Sequence, residues 1–256
     1  MEQTFRTAIV KKPAGSFSQG ITRANLGRPD LKKALNQHDK YIRALQKCGL
    51  EVIALEADPE YPDSTFVEDA AIVMLKCAVI TNPGAVERKG ETTAIKISLS
   101  GFYDELEHIE APGTLDGGDV MVAGSNFFIG LSERTNLHGA EQLIEIINRQ
   151  GMNGVTVKIK GLLHLKSGVN YLSHDHLLMI EDFIHFKPFQ SYSRILVPSR
   201  EAYAANSLWI NDRVLVPKGF PETSRSIHKA GYEIIELDMS EFQKLDGGLS
   251  CLSLRF

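Results

Sequence analysis

Cysteine is scarce: the 256 residues hold three, at Cys48, Cys77 and Cys251. An odd number without metal-ligand spacing fits a reducing cytoplasm better than a disulfide framework. Long apolar runs are missing as well. No stretch reaches the 18 residues that suggest a membrane-spanning helix. The segment Met1 to Gly15 shows neither the apolar core nor the small-residue cleavage site of a secretory signal. Nor does one sign of charge dominate: 28 Lys and Arg against 32 Asp and Glu leave a net charge of −4, and the basic residues form no long run. Nucleic acid and anionic membrane are therefore poor partners, and a small cationic molecule is a better one. No linker or low-complexity segment is visible, so 43% hydrophobic content allows one large domain or two small ones.

What the chain does have is a recurring unit, an amphipathic helix, a glycine stop and then a β-rich run. The first helix begins at Pro29-Asp30, turns Leu31, Ala34, Leu35, Ile42 and Leu45 inward, and stops at Gly49 before Leu50 to Leu55. Asn136 caps a second, with Leu137, Ala140, Leu143, Ile144 and Ile147 inward and a stop at Gly151. A third runs from Glu222 to Ala230, and a weaker copy from Glu91 to Tyr103. Between them lie paired short strands: 71–74 with 78–80, 120–122 with 127–129, and 208–210 with 214–216, the last joined by an Asn211-Asp212 turn. The repeat is about 40 to 50 residues, with one copy degenerate. Such α/β units can close into a ring around a channel or lie in an open sheet. A ring would gather the polar loops at Glu68-Asp69, Asp116 to Asp119 and Asp246 to Gly248 at one end.

Those loops carry the candidate chemistry. Asp63, Glu68, Asp69, Asp116 and Asp119 form a negative lining suited to a guanidinium, whose five N–H donors match carboxylates in forks. Asp-Gly is also an ordinary turn pair. His164, flanked by leucines and bounded by Gly161 and Gly168, reads as a core histidine in an apolar strand or as an acid/base. His174 and His176 could share a strand face and bind zinc, but no third ligand follows at a supporting spacing. The other five histidines sit in polar or helical contexts. Arg88 and Arg134 lie in turn-rich segments, where each is a surface residue or a carboxylate clamp. Cys251 follows Asp246-Gly247-Gly248 at the mouth of what reads as a buried strand, as a small core residue or a nucleophile.

Six ordered segments carry a resemblance: Phe66-Val67-Glu68-Asp69, Thr81 to Ala85, Thr114 to Asp119, Ser132 to Asn136, Leu163 to Lys166, and Asp246 to Cys251. In this order and spacing they resemble the dimethylarginine dimethylaminohydrolases of the guanidine-modifying superfamily, over essentially the whole chain. The resemblance implies a five-bladed α/β propeller (pentein), a single catalytic domain over residues 1–256, and conversion of Nω-methylated arginine to citrulline through a covalent cysteine adduct. It implies Cys251 as nucleophile, His164 as general acid/base and Asp116 as the histidine's support. Substrate contacts would come from Ile21, Asp63, Phe66, Glu68, Asp69, Arg88, Arg134 and Leu245, those of Ile21 and Leu245 through the backbone. No metal or organic cofactor is implied, and the protein would be a cytoplasmic monomer or homodimer. The rival readings are an arginine deiminase, which is usually longer by a helical insertion, and a propeller that binds guanidines without reacting.

Overall fold

A computed structural model describes residues 4–256, so residues 1–3 of the N-terminal segment lie outside the described residues. The hairpins read from the sequence form, and each gains a third strand. The first unit holds β1 (Thr7–Lys11), α1 (Leu31–Lys47) and β2 (Glu51–Leu55). The second holds β3 (Ala71–Val73), β4 (Ala78–Ile80), α2 (Thr92–Leu99) and β5 (Leu106–His108). The third holds β6 (Val120–Ala123), β7 (Asn126–Leu131), α3 (Leu137–Arg149) and β8 (Asn153–Lys158). The fourth has strands β9 (Val169–Tyr171), β10 (His176–Met179) and β11 (Ser193–Leu196), with 3-10 turns where the others have a helix; it is the degenerate copy. The fifth holds β12 (Leu208–Ile210), β13 (Arg213–Pro217), α4 (Pro221–Lys229) and β14 (Glu233–Leu237), followed by α5 (Ser240–Gln243) and β15 (Leu254–Arg255).

These strands make five separate three-stranded sheets, which excludes one continuous open sheet. In each, the middle strand pairs antiparallel with one neighbour and parallel with the next, as a hairpin followed by a crossover requires. The ring is closed by the chain's two ends: β15 lies antiparallel on β1, with Ile9 opposite Leu254. The architecture is a five-bladed α/β propeller.

Local chemistry explains the elements. Asp30 and Asn136 accept the N–H groups of Lys33 and Gly139 as helix caps. Gly49, Gly151 and Gly231 stop their helices in the left-handed region, with φ of +87°, +76° and +97°. Two inward assignments fail. Leu35 and Leu137 are exposed, and α1 instead buries Gln37, His38 and Tyr41. Gln37 is drawn in because its amide bonds Ser240 Oγ and the Glu241 N–H. The apolar clusters lie between sheets and helices, the largest around Tyr41, Leu45, Phe17, Phe66 and Phe242.

Two strand assignments also fail. Ser250–Leu252 is a 3-10 turn, and only Leu254–Arg255 is strand. The Tyr41 hydroxyl donates to Leu249 O, and Arg255 Nη1 donates to the Ser250 and Ser253 carbonyls, so side chains take the acceptors that a ladder would use. His164 lies at the N-cap of a 3-10 turn, Leu165–Ser167, rather than within a strand.

Candidate active site

One structural position recurs around the ring. A 3-10 turn ends within two residues of the first strand of four blades and leads into β15 of the remaining one: Val67–Ala70, Gly117–Asp119, Leu165–Ser167, Ser199–Ala205 and Ser250–Leu252. Tight turns here hold side chains on rigid strand ends, and they deliver Asp69, Asp116, His164 and Cys251 to a common centre. Of the eleven site residues that the resemblance implies, nine line one small cavity of about 30 Å³: Ile21, Asp63, Phe66, Asp69, Arg88, Arg134, His164, Leu245 and Cys251. A larger chamber of about 300 Å³ adjoins it, sharing Leu163, His164, Asp246 and Cys251.

His164 is 7% exposed, its Nε2 3.1 Å from Asp116 Oδ2 and 4.0 Å from Asp69 Oδ1. Burial alone would lower its pKa, but the carboxylates of Asp69, Asp116 and Asp119 outweigh that and raise it to about 9. Asp69 is also penalised by burial, yet His164, Arg88 and the Gly118 N–H hold it well below the usual carboxylate range. Its Oδ2 takes Arg88 Nη1 at 2.6 Å and its Oδ1 the Gly118 N–H at 2.8 Å. Asp116, fully buried, also accepts the Gly84 N–H at 2.8 Å. Asp119 turns away from the cavity. Its carboxylate holds Ser132 Oγ and the Leu165 N–H, and burial pushes its pKa up to about 6. The two glycines between these acids permit the approach, since a Cβ on Gly118 would sit 2.7 Å from His164 Nδ1.

Cys251 is half-buried and accepts the Gly248 N–H at 3.3 Å. Burial and the charges of Glu68 and Asp69 push its thiol up to about 12, against smaller help from Gly248 and Lys166. Without a cation the sulfur is a thiol and His164 an imidazolium.

The end of the cavity between Asp63 and Arg134 is also shaped. Asp63 is buried and accepts the Ile21 N–H at 3.0 Å. Arg134 points Nη1 into a buried position where no hydrogen-bond partner meets it among the described residues. A ligand carboxylate would satisfy that atom. Arg88, in contrast, is committed to Asp69, Glu91 and the Phe66 carbonyl. Two of the eleven do not line this cavity: Asp116, which stands behind His164, and Glu68, which is turned elsewhere. The Glu68 carboxylate takes Lys166 Nζ, Arg255 Nη2 and Ser250 Oγ, and it lines a separate cavity of about 150 Å³.

The histidine pair does not form a metal site by strand spacing: His174 is in the hairpin turn with φ +46°, and His176 Nδ1 lies 3.1 Å from the Tyr232 hydroxyl. The ligand atoms of Asp69, Asp116 and His164 do lie within 4.8 Å of one another, but Arg88 Nη1 and the Gly118 N–H already hold the two oxygens of Asp69. Sequence reasoning missed Asn206, whose amide accepts the Ser250 N–H and donates to Ser250 Oγ and the Lys166 carbonyl. Its only signal was its place before a blade's first strand.

The family model described as N,N dimethylarginine dimethylhydrolase, eukaryotic, matches residues 22–194. The N(G),N(G)-dimethylarginine dimethylaminohydrolase of Pseudomonas aeruginosa is 47% identical over 253 residues, spanning 98% of this chain and 100% of that protein. The protein of the same name from Streptomyces coelicolor is 33% identical over 252 residues, 98% of this chain and 96% of the relative. A solved cysteine-to-serine variant of the Pseudomonas aeruginosa enzyme, complexed with citrulline, superposes with a TM-score of 0.98 at 46% identity, covering 99% of this chain and 100% of that one. The chain belongs to the dimethylarginine dimethylaminohydrolase family.

Proposed function

We propose that this protein hydrolyses Nω-methylated arginine to citrulline and methylamine or dimethylamine, with Cys251 as nucleophile and His164 as general acid and base. The observation that carries the reading is the placement of a half-buried sulfur and a carboxylate-held imidazole on the shared wall of two chambers. The smaller chamber offers Arg134 for an α-carboxylate, Asp63 and the Ile21 backbone for an α-amine, and Asp69 for a guanidinium. Leu245 and Phe66 supply walls; Arg88 holds Asp69, and Glu68 acts on Cys251 from behind the site.

A cationic guanidinium arriving beside Asp69 offsets the negative field that keeps Cys251 protonated. The thiol proton leaves to solvent, because His164 already carries one. Thiolate attack forms the S–C bond and a tetrahedral adduct. His164 then protonates the methylated nitrogen, the C–N bond breaks, and the amine departs, leaving a thiouronium on Cys251. Neutral His164 next takes a proton from water as the oxygen adds to carbon. As the hydroxyl proton passes to solvent, collapse forms the citrulline C=O, breaks the C–S bond and releases the thiolate. Asp69 and Asp116 stabilise the cation as charge moves across it. These steps ask for no metal or organic cofactor.

The same reading treats residues 1–256 as a single catalytic domain at work in the cytoplasm, as a monomer or homodimer. Among the described residues no helix is long and apolar enough to cross a membrane. Nucleic acid is not among the proposed partners. The test is incubation with arginine and its mono- and dimethylated forms, following citrulline and the released amine. Turnover of the methylated forms is expected, abolished by Cys251→Ser. Turnover confined to unmethylated arginine would make the protein a deiminase.

A further inference from the structure

Beyond the residues anticipated for the site, one buried acid is tied into it by geometry. Glu91 ends the 3-10 turn Val86–Glu91 and is 4% exposed. Both of its oxygens face Arg88: Nε is 3.1 and 3.0 Å from Oε1 and Oε2, and Nη2 is 2.8 Å from Oε2. This fork grips one edge of the guanidinium plane. The opposite edge, Nη1, lies 2.6 Å from Asp69 Oδ2, and the other oxygen of Asp69 faces His164. Four buried groups therefore run in line, Glu91, Arg88, Asp69 and His164.

We propose that Glu91 is a positioning residue for this site: it fixes the orientation and shares the charge of Arg88, and so sets how much of Asp69 is left for the substrate guanidinium and for His164. The argument rests on the guanidine-hydrolase reading. An arginine held along its Nε edge cannot rotate about its terminal bond. Freed of Glu91, Arg88 Nη2 keeps only the neutral Phe66 and Asp63 carbonyls, at 3.1 and 3.4 Å, and the guanidinium can shift both Nη groups toward the charged Asp69 and neutralise it. The cavity then loses the carboxylate that receives the cation, and the imidazole loses part of its negative field.

The charged surroundings agree. Arg88 is faced by Asp69 and Glu91, with Asp63 close by and Arg134 on the same cavity. Glu91 is faced by Arg88, Asp63, Asp69 and the Tyr61 hydroxyl. His164 is faced by Asp69, Asp116 and Asp119, with Cys251 on the same cavity. Burial raises the Glu91 pKa to about 7; Arg88 opposes this and the neighbouring Asp63 and Asp69 add to it. Its grip on Arg88 is therefore strongest above neutral pH and weakens below it.

The test compares wild type with Glu91→Gln and Glu91→Asp, each checked for folding by circular dichroism. For dimethylarginine, Glu91→Gln is expected to raise KM at least tenfold while kcat changes less than threefold. Wild-type KM should rise as pH falls below 7, and that rise should be lost in Glu91→Gln. Alkylation of Cys251 by iodoacetamide needs no turnover. Its pH midpoint should fall by half a unit or more in Glu91→Gln, because Asp69 then opposes the thiolate less. Glu91→Asp keeps the charge on a shorter arm, so the alkylation midpoint should return and KM should rise only about threefold. KM and alkylation profile within twofold of wild type in Glu91→Gln, with a lower melting temperature alone, would overturn the proposal. If that variant does not fold, an unchanged KM in Glu91→Asp does the same. A wild type inert toward methylated arginines sinks the functional reading instead, and the alkylation profile still tests Glu91.

Discussion

His164 and Asp116 meet through Nε2 and Oδ2 at 3.1 Å, although 48 residues separate them and Asp116 has no exposed surface. The remaining oxygen of Asp116 is fixed by the Gly84 N–H, so the carboxylate cannot swing to follow a moving ring. The contact sets both the tilt of the imidazole and part of its basicity.

Asp116→Asn should therefore shift two observables in known directions. The His164 pKa, raised to about 9 by its carboxylates, should move down toward the ordinary histidine value. Less imidazolium is then present at alkaline pH, and protonation of the departing amine weakens. Loss of a positioned acid costs roughly 10²- to 10⁴-fold in rate. A kcat-against-pH profile should show the fall, with its alkaline limb displaced to lower pH. An undisplaced limb would mean that Asp116 orients nothing.

Gly118 fills the space where Asp69 and His164 come closest. A methyl group there would lie 2.7 Å from His164 Nδ1 and 2.9 Å from Asp69 Oδ1, so one of them must move. Gly118→Ala is expected to lower kcat by about 10²-fold, the scale of a 1 Å misplacement. Gly15→Ala, where an added Cβ meets nothing within 4 Å, is the control and should match wild type. Thermal melts of both variants separate misplacement of the site from loss of fold.

Local signals in the chain made much of this readable. Caps at Asp30 and Asn136 and the turn at Asn211, with φ +56°, act within a few residues, and they mark helices and hairpins correctly. The Asp-Gly-Gly-Asp segment revealed a tight polar turn for the same reason. What stayed hidden depends on partners far along the chain. Cys251 left the expected strand because Tyr41 captures the Leu249 carbonyl across 208 residues. Glu68 and Asp69 are adjacent in sequence, yet a 3-10 turn rotates successive side chains by about 120° and sends them to different cavities. Glu91 showed only as the start of a weak helix, because its role exists only through Arg88.

His38 makes acid stability measurable. It is 1% exposed, its Nε2 has no hydrogen-bond partner among the described residues, and Phe242 packs nearby. Burial depresses its pKa to about 4, only partly offset by Asp39, while Lys12 adds to the depression. The unfolded chain binds the proton near pH 6.5 and the folded one near 4, so this contribution is complete above 6.5 and lost as pH falls through 4. Its size is about 3 kcal/mol. Urea unfolding at pH 7 and pH 4.5 should show a smaller acid loss in His38→Leu than in wild type. Equal losses would mean that the imidazole is solvated in the folded state.

The loop carrying Ile21 is held over the cavity by Asp246, which sits between Leu245 and the two glycines ahead of Cys251. Its Oδ2 accepts the Arg23 N–H at 2.7 Å and the Thr22 hydroxyl at 3.0 Å. A second tie, the ion pair between Arg23 and Glu133, is exposed at both ends. Water and salt screen the exposed pair, whereas the carboxylate on a backbone N–H fixes the course of the chain itself. Asp246 also adopts φ +59°, a region that asparagine tolerates and alanine does not. Asp246→Asn should therefore raise KM about threefold to tenfold with little change in kcat, Asp246→Ala should do more damage, and Glu133→Gln should leave KM near wild type. Limited proteolysis between residues 22 and 28 should accelerate in the same order. Identical KM values for Asp246→Asn and wild type would show that the loop needs no latch, and that the Ile21–Asp63 hydrogen bond of 3.0 Å is enough to close it.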